Sequence, residues 1–200
     1  MISVKKAIAT DVNEIVAIHK QAFPEFFLTT LGDGFLGLYY SCMCKCEEAV
    51  TLCAFDDEKF VGFATSAYVS HRFNKRLIKK NLVRFGLMGM KLLFTKPGAI
   101  IRLVKNFDKE SSESSIVDNG EYAELYSIAV SPDCQGKGVG KKLLLATEED
   151  VAKHNSKISL TTDYYNNEKT IGFYHSLGYK DYYEFVTYPN RRMWRMIKDL

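Results

Sequence analysis

The sequence predicts an α/β fold in which a central β-sheet is flanked by helices. The first observation is an apolar, β-type run over residues 124–130, which Pro132 stops and a glycine turn and a helical pattern follow. The second is a pair of β-type segments, 49–55 and 59–69, around the polar turn 56–58, which indicates an antiparallel hairpin. Strands alternating with helical segments in this way are typical of a layered α/β domain.

Composition limits the size and class of the protein. Its 200 residues and 22.8 kDa suit one domain, residues 1–200. A hydrophobic content of 46% with 13 Phe and 12 Tyr excludes a disordered chain. The net charge of +3 is too small to indicate nucleic-acid binding, and none is expected. Because there is neither an apolar leader nor an uncharged run of about 18 residues, we expect a cytoplasmic protein.

The N-terminal elements follow from local patterns. Residues 2–8 alternate enough for a first strand, and residues 10–14 supply the cap and acidic first turn of a helix that continues to Ala22. His19 falls on the inner stripe of this helix and is interpreted as a half-buried helix residue rather than a catalytic base. Residues 23–32 then lead to a second helix with four apolar residues that cover the sheet, Phe35, Leu36, Leu38 and Tyr39.

Five cysteines are present, three of them at 42, 44 and 46. No histidine lies near these three, so free thiols are favoured over a metal site and no metal is expected.

A basic segment separates the hairpin from the central strand. Between Glu58 and Asp108 there is no acidic residue, but there are eleven lysines and arginines. Helical spacing predicts two inserted helices, one with Ile78, Leu82 and Phe85 on its apolar side and one that starts at Pro97 and has three apolar residues of its own, Ile100, Val104 and Phe107. The serines of 110–115 indicate a flexible return, so the insertion covers residues 71–118.

The glycine turn after the central strand predicts an anion site. Glycines at 136, 138 and 140 allow backbone N–H groups to approach a ligand, and the helix that follows points its positive dipole end at the same place. A phosphate or pyrophosphate suits such a site. A P-loop is excluded because position 135 is Gln and position 142 is Lys, and the dinucleotide-binding spacing Gly-x-Gly-x-x-Gly is absent.

Two stretches resemble the GNAT family of N-acetyltransferases. Gln135, Gly138 and Gly140, after a strand ending in Ile-Ala-Val, resemble the family's motif A. Residues 167–179 resemble its second signature, Asn-x-x-Ala-x-x-Phe-Tyr-x-x-x-Gly-Phe, except that Thr170 and Tyr179 replace Ala and Phe. The resemblance covers residues 1–70 and 120–200, whereas the basic segment is outside it.

The resemblance implies a GNAT-type acyl-coenzyme A N-acyltransferase fold with a central mixed sheet, and acetyl-coenzyme A as acyl donor. The strand over 157–162 is then parallel to the strand over 124–130, and the two splay apart so that the pantetheine arm occupies the gap. The residues that the resemblance assigns to the cofactor are Ile128, Ala129, Val130, Gln135, Gly136, Lys137, Gly138, Val139, Gly140, Lys141, Asn167 and Tyr174.

The resemblance also suggests catalytic groups. Tyr174 matches a tyrosine whose hydroxyl lies near the thioester sulfur, so it is expected to protonate the departing thiolate, with a purely structural role as the alternative. Glu124 is the candidate base that accepts the proton of the amine, directly or through water; another carboxylate such as Glu121, or a water chain, is the alternative. Residues 25–27 are candidates for contact with the acceptor.

The function expected is transfer of acetyl from acetyl-coenzyme A to a primary amine of a small molecule. A faint resemblance of residues 22–32 to acetyltransferases of bacterial surface-glycan synthesis favours an amino sugar. The alternatives are a protein or peptide N-acetyltransferase and a non-catalytic acyl-coenzyme A module. For the basic region 71–107, three interpretations are open: packing over the acceptor site, peripheral contact with an anionic surface, and a homodimer contact.

The C-terminal part completes the sheet. Asn167 begins a helix whose inner side is expected to carry Phe173 and Leu177. Residues 179–188 and 191–197 are predicted to form a last hairpin, with its turn at Pro189-Asn190.

Overall fold

The computed structural model describes residues 1–98, 118–187 and 190–200. Seven strands form one mixed sheet in the order β1-β2-β3-β4-β5-β7-β6, and among the described strand pairs β4 and β5 are parallel while the others are antiparallel. The strands are β1 Ile2–Lys6, β2 Ala49–Asp56, β3 Lys59–Ala67, β4 Ala123–Val130, β5 Lys157–Asp163, β6 Lys180–Thr187 and β7 Arg191–Asp199. The helices are α1 Val12–Ala22, α2 Phe27–Leu31, α3 Asp33–Cys44, α4 Phe73–Lys80, α5 Leu82–Thr95, α6 Val139–Val151 and α7 Glu168–Ser176.

Helices cover both faces of the sheet, and each face has its own apolar cluster. Helices α1 to α5 pack on one face, here called the α1 face, around Ile15, Leu36 and Phe63. Helices α6 and α7 pack on the opposite face, here called the α6 face, around Leu143 and Ile158. The predicted mixed sheet flanked by helices is confirmed.

Strand β4 contains an extra residue at its centre. Thr65 of β3 pairs with Ser127, but the next residue, Ser66, pairs with Leu125, so Tyr126 is the extra residue of a β-bulge. A bulge bends its strand and increases the local twist. It also shifts the alternation of side chains, so that Tyr126 and Ala129 both pack on the α1 face while Leu125 and Ile128 pack on the α6 face.

The N-terminal predictions are confirmed with one change of detail. The first strand, the first two long helices and the hairpin all form, and the four predicted apolar residues of α3 are buried. Helix α1 begins at Val12 after a short 3-10 turn over Ala9–Asp11. The Asp11 carboxylate, within the predicted cap segment, accepts a hydrogen bond from the backbone N–H of Ile8 at 2.8 Å.

The basic segment differs from its prediction. The helix expected to pass through Ile78, Leu82 and Phe85 is interrupted at Asn81, whose side-chain amide donates to the carbonyl of Leu77 at 3.0 Å. Asparagine competes for backbone groups in this way and favours helix ends. Leu82 is therefore exposed, whereas Phe85 is half-buried. The predicted apolar residues after Pro97 and the serine-rich return lie outside the described residues.

The C-terminal elements are close to their predictions. Helix α7 follows Asn167, with Phe173 and Leu177 half-buried and Tyr174 more deeply buried than either. Strands β6 and β7 pair as a hairpin, while the predicted turn residue Pro189 lies outside the described residues.

All five cysteines are free, and the described residues contain no group of three or more side chains placed to hold a metal ion. Among the described helices, none has the length and apolarity needed to cross a bilayer.

A pair of glycine substitutions tests the packing of β3 on β4. A Cβ at Gly62 would lie 2.7 Å from the carbonyl oxygen of Ala129, so Gly62→Ala should lower the free energy of unfolding by about 1–3 kcal/mol. A Cβ at Gly37, inside α3, would meet no atom within 4 Å, so Gly37→Ala should raise it by about 0.5–1 kcal/mol. Urea unfolding measures both, and equal shifts in one direction would contradict this account.

Candidate active site

The parallel strands β4 and β5 separate towards their carboxyl ends. They pair over residues 123–125 and 158–160 only. Beyond these residues β4 continues to pair with β3 as far as Val130, and β5 continues to pair with β7 as far as Asp163. A gap therefore opens between two strands that are each held by their other neighbour.

Backbone groups of β4 point into this gap. The N–H of Ser131 donates to the carbonyl of Val61 in β3 at 2.8 Å. Successive residues of a strand direct their N–H and C=O groups to opposite edges, so Ile128 and Val130 direct theirs towards β5. These groups have no strand partner there, and an extended ligand in the gap can hydrogen-bond with them.

The glycine turn forms the open end of the gap. A short 3-10 turn over Pro132–Cys134 follows β4, and Gly136 and Gly138 adopt φ of 75° and 80°, the left-handed region that glycine tolerates best. Helix α6 then begins at Val139, and the N–H groups of residues 136–141 donate to no other backbone group among the described residues. Free N–H groups at a helix start, with Lys137 and Lys141 exposed beside them, suit a diphosphate.

The start of α7 is tied to the end of β5. The side-chain nitrogen of Asn167 donates to Thr162 Oγ1 at 2.6 Å and to the carbonyl of Asp163 at 3.1 Å. Both amide hydrogens are therefore used inside the protein. The side-chain oxygen of Asn167 is the atom left for a ligand at this end of β5.

Tyr174 lies on the α6 face in an aromatic setting. Its ring centroid is 5.3 Å from that of Phe173 and 5.5 Å from that of Tyr179. Burial raises the pKa of Tyr174 to about 12, so the phenol stays protonated at neutral pH. Its hydroxyl has no hydrogen-bond partner among the described residues, and it is not one of the buried atoms sealed from solvent. It is thus a free donor.

Glu124 is buried at the closed end of the gap, where β4 and β5 still pair. Ser70 donates to one carboxylate oxygen, and Arg195 Nη1 donates to the other at 3.0 Å. Each contact uses one lone pair of its oxygen, so each oxygen keeps a second lone pair for a further donor.

Arg195 of β7 links this carboxylate to a second one. Its Nε lies 3.7 Å from Asp118, which also accepts hydrogen bonds from the hydroxyls of Tyr122 and Tyr183. Burial lowers the pKa of Arg195, but the charges of Glu124 and the other acidic groups outweigh this effect and raise it. The guanidinium is therefore permanently charged, and it fixes the position of Glu124.

A second buried polar chain reaches β4 from α1. Tyr40 of α3 donates to Ser127 Oγ at 3.3 Å, and His19 Nδ1 lies 2.7 Å from the Tyr40 hydroxyl. The other ring nitrogen of His19, Nε2, has no hydrogen-bond partner among the described residues. Burial lowers the pKa of His19 to about 4, so the ring is neutral.

One aromatic residue of the segment 23–32, Phe26, lies beside the end of β5, which borders the mouth of the gap. Phe26 is half-buried, and the Arg191 guanidinium lies 5.4 Å from its ring centroid. Arg191 also makes two hydrogen bonds of 2.6 Å with Asp163, the last residue of β5. Of the other candidates for acceptor contact, Phe27 is half-buried against the α1 face and Glu25 is exposed.

Most of the predicted site residues border the gap between β4 and β5, but the structure also places polar residues there that were not predicted. The β4 end, the glycine turn and Asn167 border the gap, Glu124 lies at its closed end, and Tyr174 lies on the α6 face. Sequence reasoning missed a set of polar groups, Ser70, Asp118, Arg195, Tyr40 and Ser127. One signal was available for Arg195, because an arginine between Trp194 and Met196 in an apolar strand needs a buried carboxylate partner.

Comparisons with known proteins agree with this architecture. The sequence model described as "Acetyltransferase (GNAT) family" matches residues 13–179. No curated protein matches the chain.

Solved structures with low sequence identity share the fold. The ribosomal-protein-S18-alanine N-acetyltransferase of Escherichia coli is 16% identical with a TM-score of 0.62, over 100% of this chain and 94% of that one. The PaiA N-acetyltransferase of Thermoplasma acidophilum, in complex with coenzyme A, is 14% identical with a TM-score of 0.59, over 100% and 99%. Aminoglycoside 6'-acetyltransferase type Ii is 16% identical with a TM-score of 0.59, over 98% and 96%.

The buried neutral His19 should make stability depend on pH. Its pKa is lower in the folded than in the unfolded chain, where it is about 6.5, so the unfolded chain binds the extra proton first and stability falls as the pH falls below that value. Between pH 7 and pH 5 the loss should be about 2 kcal/mol. Urea unfolding of His19→Gln should show a correspondingly weaker pH dependence, whereas the exposed control His71→Gln should behave like the parent. Identical pH dependence in all three proteins would contradict the buried, neutral state.

Proposed function

The chain belongs to the acetyltransferase (GNAT) family, and from this premise we propose that it transfers acetyl from acetyl-coenzyme A to a primary amine of a small molecule, by direct attack in a ternary complex. The observation that carries the proposal is the gap between β4 and β5, which opens beside a turn of free N–H groups. An extended arm that ends in a diphosphate fits both features at once. Tyr174 and Glu124 would supply the proton transfers.

The donor would bind along the gap from the glycine turn inwards. N–H groups of residues 136–141 would hold the diphosphate, with the Gln135 side chain and the two exposed lysines beside it. The pantetheine arm would pair with the backbone of residues 128–130, and the side-chain oxygen of Asn167 would accept from one of its amides. A structural neighbour solved with coenzyme A supports this choice of donor.

The backbone of β4 would also stabilise the reaction intermediate. Attack by an amine converts the thioester carbonyl oxygen into an oxyanion. A backbone N–H of Ile128 or Val130 that points into the gap would donate to it, and a preorganised donor of this kind lowers the barrier by about 3 kcal/mol. The N–H is held in place because β4 pairs with β3 on its other side.

Two proton transfers complete the reaction. The Tyr174 hydroxyl would protonate the departing thiolate, and its raised pKa keeps it in the protonated form that this role requires. On the α1 face, Glu124 would accept the proton of the incoming ammonium, directly or through water, on a lone pair that Ser70 and Arg195 do not use. Arg195 would remain paired with Glu124 and stabilise the carboxylate between turnovers.

For the acceptor, we propose an amino sugar or a similar small amine. The mouth of the gap presents the half-buried ring of Phe26 beside the Asp163–Arg191 ion pair, so an acceptor meets one apolar surface and charges of both signs. One structural neighbour is named as an aminoglycoside acetyltransferase and another as a ribosomal-protein-alanine acetyltransferase, so the fold accommodates both classes.

Release of free thiol from acetyl-coenzyme A, measured across a panel of amino sugars, polyamines and peptide N-termini, tests the proposal. Turnover should be highest with a small amine. Tyr174→Phe should lower kcat by about 10²-fold or more, because the thiolate then leaves unprotonated, while the coenzyme A dissociation constant stays within about twofold. Phe173→Leu, at the neighbouring half-buried ring, is the control for packing and should retain most of kcat.

Three outcomes would count against parts of this account. Binding of coenzyme A without thiol release from any amine would identify a non-catalytic acyl-coenzyme A module. Release with peptide N-termini alone would move the acceptor to the protein class. Unchanged kcat in Tyr174→Phe would leave Tyr174 a structural role.

The pH profile tests Glu124 as the base. Glu124→Gln keeps the size of the side chain but cannot accept the ammonium proton, so kcat/KM near neutral pH should fall by about 10²-fold. The loss should shrink as the pH rises, because more of the amine is then already unprotonated. The exposed neighbour Glu121 provides the matched control, and Glu121→Gln should follow the parent profile. A loss in the Glu121 variant, or a loss in the Glu124 variant that does not change with pH, would assign the base elsewhere.

A further inference from the structure

Helix α5 presents a continuous apolar stripe to solvent. Phe85, Met88 and Leu92 face inwards, and the Phe85 ring packs 6.1 Å from that of Phe35 in α3. Four residues at spacings of four, three and four occupy the opposite side, with Leu82 and Leu93 beside them. This outer set, here called the α5 stripe, is Val83, Leu87, Met90 and Phe94.

The side chains of the α5 stripe are large and apolar, but they are exposed to solvent. Val83 is 75% and Phe94 is 90% exposed, and Leu87 and Met90 are each more than half exposed. A helix that is apolar on its inner and outer sides is expected to be covered on both. Contiguous exposed apolar surface of this kind marks a binding site.

Unpaired positive charge accompanies the stripe. No acidic residue occurs between positions 59 and 98. Glu48, at the end of the α3–β2 connection, pairs with Arg76 and Lys80 of α4, whereas Lys75, Lys79 and Lys91 have no carboxylate partner among the described residues. Lys75 and Lys79 lie on the side of α4 opposite its buried residues, and Lys91 follows Leu87 by one helical turn.

Charge and shape together identify the occupant. A second copy of this chain would place the same basic residues against one another, and a nucleic acid would not cover a stripe of leucine and phenylalanine. An anionic bilayer satisfies both features, because its headgroups attract lysine and its acyl boundary accepts apolar side chains. The 14 residues of α5 span about 21 Å, which is too short to cross the hydrocarbon core but sufficient to lie in the interface.

We infer that α4 and α5 form a peripheral docking surface for anionic phospholipid membranes, in which the α5 stripe inserts at the headgroup boundary and Lys75, Lys79 and Lys91 contact the headgroups. Each such lysine strengthens attraction only near the surface, because salt screens its charge beyond about 8 Å. Docking therefore requires direct contact and weakens as salt rises.

Co-sedimentation with vesicles tests the surface on the full chain. The protein should bind vesicles of phosphatidylcholine mixed with phosphatidylglycerol at low salt, and vesicles of phosphatidylcholine alone much more weakly. Lys75→Gln with Lys79→Gln should lower the partition coefficient at least about tenfold, since two headgroup contacts are lost. Leu87→Gln with Phe94→Gln should lower it by a similar factor, since the inserted surface becomes polar.

Matched pairs elsewhere on the protein control for charge and apolar area. Lys153→Gln with Lys180→Gln removes the same charge, and Ile8→Gln with Leu145→Gln removes exposed apolar side chains, and both should bind like the parent. Equal losses in these controls, or no binding to anionic vesicles, would overturn the inference. A dimer in sedimentation equilibrium that Leu87→Gln with Phe94→Gln converts to monomer would also overturn it and make a second copy the occupant.

Discussion

The pairing of β4 with β5 stops at Leu125, directly before the bulge residue Tyr126, and the backbone groups that β4 directs towards β5 beyond this point need a partner from outside the sheet. Strand β4 stays paired with β3 up to Val130, so its edge towards β5 is held in place although it is open. An unpaired N–H or C=O in a partly buried gap is costly unless a ligand or water satisfies it. Beyond the bulge the sheet therefore has an open edge between β4 and β5, and the glycine turn at the end of β4 places free N–H groups beside it.

The ion pairs at the closed end of the gap stabilise a buried carboxylate, that of Glu124. A carboxylate on a central strand is expensive to bury, and Arg195 offsets this cost for Glu124 by donating to it at 3.0 Å. One carboxylate would leave the guanidinium partly unpaired, and Asp118 provides the second negative charge at 3.7 Å. Exchange of such a group for apolar residues of similar volume is often neutral for stability. The proposed role of Glu124 as the base on the α1 face would account for a charge that stability alone does not require.

Local patterns in the sequence were sufficient for the strands, the glycine turn and the order of elements, because each depends on residues near one another in the chain. The bulge was not predictable, since Tyr126 is marked only by its register against Thr65 and Ser66, which lie about 60 residues earlier. The pairing of Arg195 with Glu124 depends on sheet order in the same way. The interruption at Asn81 was missed because the spacing of Ile78, Leu82 and Phe85 continues across it. For α5, both sides are apolar, so periodicity could not tell which one is buried.

The basic segment contacts β4, the strand that borders the gap, on the α1 face. Phe73, the first residue of α4, packs its ring 5.5 Å from that of Tyr126, and the Phe85 ring of α5 packs on α3. Because Phe73 contacts the bulge residue Tyr126, a displacement of α4 would disturb the packing of β4. If the α5 stripe rests on a bilayer, the α1 face, with Glu124 and the proposed acceptor side of the gap, is turned towards the lipid. The α6 face and the glycine turn then remain in water, where a soluble acetyl donor has free access. A protein with this orientation would meet amines presented at a membrane surface on one side and its donor on the other, so the gap would be used from both faces of the sheet.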